Sequence, residues 1–161
     1  MAKLLKEIQM ELTNSMIKHY VESVGLSAED TYNEYRNSWS WKRGTATIEV
    51  FVESVEVGDI KSKDNKITGK KTREYLRIFS LVGYIPQISQ AERAIFFLHL
   101  LNINDKSLGV KLTVMEETDK IYATYERDIN GIDYNELVTC IKDLEWWADR
   151  LDDELKIYGK N

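Results

Sequence analysis

Between Asp133 and Tyr158 the residues Tyr134, Leu137, Ile141, Leu144, Trp147, Ala148, Leu151, Leu155 and Tyr158 fall on one stripe of a helix. A helix that is apolar on one face must lie against another layer, so this segment constrains the rest of the chain more than any other. Its start is marked twice. Asn130-Gly131 breaks the chain, and Asp133 followed by Glu136 matches the reciprocal pattern in which each side chain satisfies an amide of the first turn.

The layer that covers this helix reads as strands. Thr45 to Val57 alternates, with Ile48, Val50 and Val52 on one face and Phe51, Val55 and Val57 on the other. Arg73 to Ile85 resumes the pattern and stops at Pro86, the one proline, which cannot extend a ladder. Gly58 to Lys71 has no apolar period and holds Gly58, Asp59, Asp64, Asn65 and Gly69, so it predicts a long hairpin loop. Ahead of these, Tyr35, Trp39 and Trp41 recur with period two and predict a further strand within Thr31 to Lys42. Val110 to Glu116 and Lys120 to Ile129 form a hairpin around Glu117-Thr118-Asp119.

Two more helices complete the order. Lys3 to Val24 sets Leu5, Ile8, Leu12, Met16 and Tyr20 on one row and Met10, Ile17, Val21 and Val24 on another, with Gly25 as the terminating residue. Its apolar arc is wider than one sheet contact uses, which leaves part of it for a partner. The second begins at Ser89, with Glu92 three residues on, and its body from Ala94 to Leu101 is apolar nearly all round. The chain's own sheet covers one side of such a helix. The expected order is helix, two or three antiparallel strands, helix, two-strand hairpin, helix, an α+β fold in one domain over residues 1–161.

At 161 residues with 43% hydrophobic residues the chain has material for one core. Its net charge of -5 opposes general affinity for nucleic acid or an anionic membrane, and no stretch approaches the roughly 20 apolar residues of a membrane span. Neither a secretion signal nor an anchor is expected. Cys140 is the single cysteine, which rules out an internal disulfide and any site of several thiolates. The reading is a reduced, cytoplasmic protein.

Residues for chemistry are missing. His19 and His99 lie on different helices with no partner at ligand spacing, so no metal is expected. Glycines are scattered, with no phosphate-cradling loop; no serine sits in a nucleophile elbow; and Cys140 lies on the last helix beside Ile141 as a small buried thiol. The carboxylate pairs Asp152-Asp153 and Glu116-Glu117 read as surface acids. No catalytic residue, metal or cofactor is expected. The Asp59 to Arg73 segment carries Lys61, Lys63, Lys66, Lys70, Lys71 and Arg73 against Asp59 and Asp64, but lacks the interleaved aromatics of a single-strand binder. It reads as a solvated loop, with an anionic partner as the lesser reading.

Trp146 is the informative exception. It falls opposite the buried stripe of the last helix, beside Asp143, Arg150, Asp153 and Ile157. Stacking on Arg150 one turn away is worth roughly 0.5 to 1 kcal/mol. A partner covering the whole ring would contribute at most ~4 to 6 kcal/mol, enough to anchor an interface. Trp146, Arg150 and Ile157 are therefore the candidate partner-binding residues. Trp39 and Trp41 share a strand face and read as core.

The segment Ala91 to Leu155, with Leu100-Leu101-Asn102, the hairpin Val110 to Ile129 and Glu145-Trp146-Trp147-Ala148-Asp149, resembles the YbjN-type family of bacterial sensory-transduction regulators. That family shares its fold with the type III secretion chaperones, whose order of elements matches the one above. The resemblance implies a homodimer that handles polypeptides without chemistry, its dimer contact formed by the middle helix and the strand after it. Carried onto this chain, that contact spans Ser89 to Glu116 and places Phe96, Leu100 and Ile103 at the dimer interface. The expected function is a cytoplasmic, chaperone-like or regulatory module that holds a partner polypeptide. The alternative is a small-molecule-binding domain or small enzyme with a pocket lined by Trp39, Trp41, Tyr75 and Tyr125.

Overall fold

The computed structural model describes residues 2–115 and 117–158. In chain order the elements are α1 (Ala2–Ser23), α2 (Ala28–Thr31), β1 (Tyr32–Asn33), β2 (Ser38–Arg43), β3 (Ala46–Lys61), β4 (Ile67–Tyr84), α3 (Gln90–Lys106), β5 (Val110–Met115), β6 (Lys120–Asp128) and α4 (Tyr134–Leu155). The strands form one antiparallel sheet of six, in the order β1-β2-β3-β4-β6-β5. The fold is α+β.

Alternation decides which sheet face is covered. Ile48, Val50 and Val52 of β3, Leu76 and Ile78 of β4, Ile121 and Ala123 of β6 and Val110 and Leu112 of β5 are buried against the helices. The opposite positions, Glu49, Phe51, Glu53, Arg77, Phe79 and Tyr122, remain partly exposed. There Phe51 stacks on Phe79 at 5.6 Å, Tyr122 meets Phe79 edge-on at 6.3 Å, and Arg77 bridges to Glu53 and Glu126, each at 2.6 Å.

α4 lies across the middle of the covered face. Leu137, Ile141, Leu144, Ala148 and Leu151 are wholly buried, so the stripe read from the sequence packs as far as Leu155, whereas Tyr158 lies past the helix end and is exposed. Asp133 and Glu136 form the reciprocal cap, and so do Ser89 and Glu92 at the start of α3. α1 ends in a double turn closed by Gly25 N–H on the Glu22 carbonyl and Leu26 N–H on that of Val21, with Gly25 at φ 83°.

Several expectations need correction. The segment Thr31 to Lys42 is not one strand: only Ser38–Arg43 continues as β2, and Tyr35 stands fully exposed in the turn before it. Asn37, at φ 48°, reverses the chain there. Nor is Gly58 to Lys71 a loop. Strands β3 and β4 run on to Lys61 and from Ile67, with bulges at Glu56/Gly58 and Ile60/Lys61, leaving a turn of 62–66. The missing apolar period has a geometric cause. At about 3.3 Å per residue the 18-residue β4 spans ~59 Å, against ~33 Å for the 22-residue α4, so the distal arm outruns its helical cover. Lys6 of α1 reaches toward its base, donating to the Thr72 carbonyl at 3.0 Å and to Glu74 at 3.1 Å.

The expected placement of Phe96, Leu100 and Ile103 at the dimer interface is also corrected. All three face the chain's own core, 2%, 4% and 6% exposed, where Phe96 meets Tyr158 edge-on at 5.2 Å. The outer face of α3 carries Ile95, Leu98 and Leu101 instead, 69%, 59% and 63% exposed.

Candidate functional site

Three elements meet around the middle of α4 and the end of β2. The Trp41 side chain projects inward from β2, Tyr20 descends from the last turns of α1, and Glu145 rises from α4 between them. Glu145 follows Ile141 by four residues and precedes Ala148 by three, which puts a carboxylate on the buried stripe. It survives there because its oxygens are satisfied. Trp41 Nε1 donates to Oε1 at 2.9 Å, the Tyr20 hydroxyl donates to Oε2 at 3.1 Å, and Arg43 Nε lies 3.9 Å from Oε2. Burial and the adjacent carboxylate hold the Tyr20 hydroxyl well above its ordinary pKa, which keeps it protonated as a donor. Tyr20 and Trp41 also pack ring to ring at 5.9 Å.

Above this buried cluster lies a cleft of about 880 Å³ between the end of α1, the β2–β3 turn and α4. Gly44 forms the turn at φ 58°, and a Cβ there would come within 2.8 Å of Asp149 Oδ1, so a larger residue would both strain the turn and displace that side chain. The other wall carries Trp146, 57% exposed, with the Arg150 guanidinium 5.4 Å from its ring centre and 5.7 Å from that of Trp147. Lys42, Arg43, Lys142 and Arg150 line the cleft against Glu145 and Asp149. Cations outnumber carboxylates here in a chain of net charge -5.

The candidate residues divide between separate places. Trp146 and Arg150 lie together on the cleft, whereas Ile157 is exposed past the end of α4 and does not line it. Of the four aromatic residues named for a small-molecule pocket, only Trp41 borders the cleft. Trp39 is buried and donates toward Asn14 at 3.4 Å, Tyr75 lies on the sheet's outer face, and Tyr125 packs inside against Cys140. They line no common pocket. Reading the sequence missed Glu145 and Tyr20; the signal available was an acid set on an apolar stripe.

The remaining candidates for chemistry are dispersed. His19 is exposed beside Tyr134 at 5.0 Å, and His99 Nε2 lies 3.4 Å from Glu154 Oε1 at the α3–α4 contact. Burial raises the pKa of the Cys140 thiol and so lowers its reactivity. Among the described residues no three His, Cys, Asp or Glu side chains gather as metal ligands, and no helix is long and apolar enough to cross a membrane.

Two rows stand out among the other exposed apolar groups. Leu5, Ile8 and Leu12 line one face of α1, while Met10, Ile17 and Val21 on its other row pack inward. The second row is Ile95, Leu98 and Leu101 on α3, with Leu108 just beyond it.

No family model matches this chain, and no curated protein does. Solved structures do. A chain of the ExsC–ExsE complex superposes with a TM-score of 0.60 at 12% identity, over 89% of this chain and 93% of its own length. A chain of the HopA1–SchA chaperone–effector complex gives 0.55 at 13%, covering 86% and 91%. The Yersinia pestis type III secretion chaperone SycH, solved in complex with a stable fragment of YscM2, gives 0.51 at 15%, covering 86% and 98%. This chain has the α+β fold of the type III secretion chaperones.

Proposed function

We propose that this chain is a non-enzymatic polypeptide-binding module, chaperone-like or regulatory, which acts as a homodimer and holds a segment of a partner polypeptide. The observation that carries the reading is the pair of exposed apolar rows on α1 and α3. Large aliphatic side chains at successive helical turns gain from leaving water, by roughly 1.5 to 3 kcal/mol each when fully covered. Two such rows on different helices suit two partners, one a second copy and one a client. The shared fold supports this assignment, since two of the similar solved structures are described as chaperones in complex with another protein.

The dimer face proposed here is the outer side of α3, through Ile95, Leu98 and Leu101. Full cover of three such side chains contributes about 5 to 9 kcal/mol, which does not safely exceed an association cost of about 4 to 15 kcal/mol. The strand after α3 must contribute as well, and exposed Leu108 and Met115 lie along that route. Size-exclusion chromatography with light scattering tests this: the wild type elutes at twice the protomer mass and Leu98→Asp at the protomer mass, with unchanged far-ultraviolet circular dichroism. A monomeric wild type would remove the dimer. Native mass spectrometry of the protein taken gently from its source cells tests the client. Two protomers plus a polypeptide support the reading, and a bare protomer or a small-molecule adduct overturns it.

A further inference from the structure

The cleft beside Trp146 differs from both apolar rows in being cationic. Lys42, Lys142 and Arg150 border it, and among the described residues none of the three forms an ion pair. Its floor is already occupied: the Glu145 carboxylate faces Trp41 and Tyr20 as donors, so the nearest buried acid does not neutralise the outer cations. One side of the cleft is also a strand edge. β1 pairs only with Ser38 and Trp39 of β2, and from Ser40 to Arg43 the outer edge of β2 has no strand partner. A free strand edge, a row of unpaired cations and an exposed indole are the components for binding an extended acidic peptide that carries an apolar side chain.

Resting on the polypeptide-holding reading, we infer that this cleft is the docking site for an extended acidic segment of the partner polypeptide. The segment pairs its backbone with Ser40–Arg43, sets its carboxylates toward Lys42, Lys142 and Arg150, and lays an apolar side chain on Trp146. Main-chain pairing accounts for an extended conformation, the cations for the acidic preference, and the indole for register.

Fluorescence anisotropy with a labelled synthetic peptide of alternating glutamate and leucine tests the assignment; its control carries lysine in place of glutamate. Wild type should bind the glutamate peptide with an affinity that falls as salt rises, and should bind the lysine peptide at least roughly tenfold more weakly. Lys142→Glu combined with Arg150→Glu should weaken the glutamate peptide roughly tenfold or more, Trp146→Ala should weaken it by a similar factor, and Leu98→Asp should leave it unchanged. All four altered positions are exposed, and circular dichroism verifies the fold of each variant. If both peptides bind equally and the cleft variants have no effect, the cleft assignment falls while the polypeptide-holding reading stands. If neither peptide binds and native mass spectrometry finds no client, both fall. ATP binding that the cleft variants abolish, without peptide binding, would also overturn the assignment by making the cleft a small-anion site.

Discussion

α3 and α4 begin in the same way and end up differently. Each opens on a reciprocal cap, and each carries enough apolar residues to fill a helix face. α4 concentrates them on one stripe, so burying that stripe leaves a polar surface broken by Trp146. α3 spreads them around its circumference, so the sheet and α4 take Phe96, Leu100 and Ile103 while Ile95, Leu98 and Leu101 stay in water. A single stripe tells which residues pack. An all-round apolar helix announces only that something else must cover it, without saying which side is left.

That contrast can be broken most sharply within α3. Phe96→Ala should cost about 3 to 5 kcal/mol in urea denaturation, because it empties a filled core site beside Tyr158. Leu98→Ala, two residues away, should stay within about 0.5 kcal/mol for the isolated protomer. Equal losses at the two positions would refute the division into inner and outer faces. In α4 the corresponding pair is Leu144→Ala, expected to cost about 2 to 5 kcal/mol, and Trp146→Ala, expected to cost no more than the roughly 1 kcal/mol of its Arg150 stacking.

Smaller effects compare the helix starts. Ser89→Ala and Asp133→Ala should each destabilise by about 1 kcal/mol, since each removes the side-chain acceptor of the Glu92 or Glu136 amide, while the backbone N–H of the cap residue still donates to the glutamate. A further effect concerns alkaline pH. Burial, reinforced by Cys140, pushes the Tyr125 hydroxyl up to about 12 from 10.0. The unfolded chain releases this proton first, so the contribution is fully present below pH 10 and is lost as pH rises through about 12. Denaturation midpoints measured across that window should fall more steeply for the wild type than for Tyr125→Phe.

The order of the main helices and strands was legible because it is written in local patterns, whereas no family model supports the resemblance to the YbjN-type family. Capping boxes at Ser89 and Asp133, alternation in β3 and the barrier at Pro86 are all read within a few residues. One reading failed where the local pattern lost its link to burial. The arm of β3 and β4 is strand without alternation, because it projects past the helices and both of its faces meet solvent. The site was legible in part. Trp146 and Arg150 stood out as an aromatic and a cation on a polar face, while Glu145 passed unnoticed among the other acids of α4. Its donors, Tyr20 and Trp41, lie more than a hundred residues earlier in the chain.

By itself the sequence determined the α+β class, the starts of α3 and α4 and the buried stripe of α4, since each depends on neighbours along the chain. The tertiary structure alone decided which side of α3 is free, that Glu145 finds two donors, and that cations from β2 and α4 border one cleft. Those outcomes depend on how separate faces meet, and periodicity places a residue on a face without naming what that face will touch.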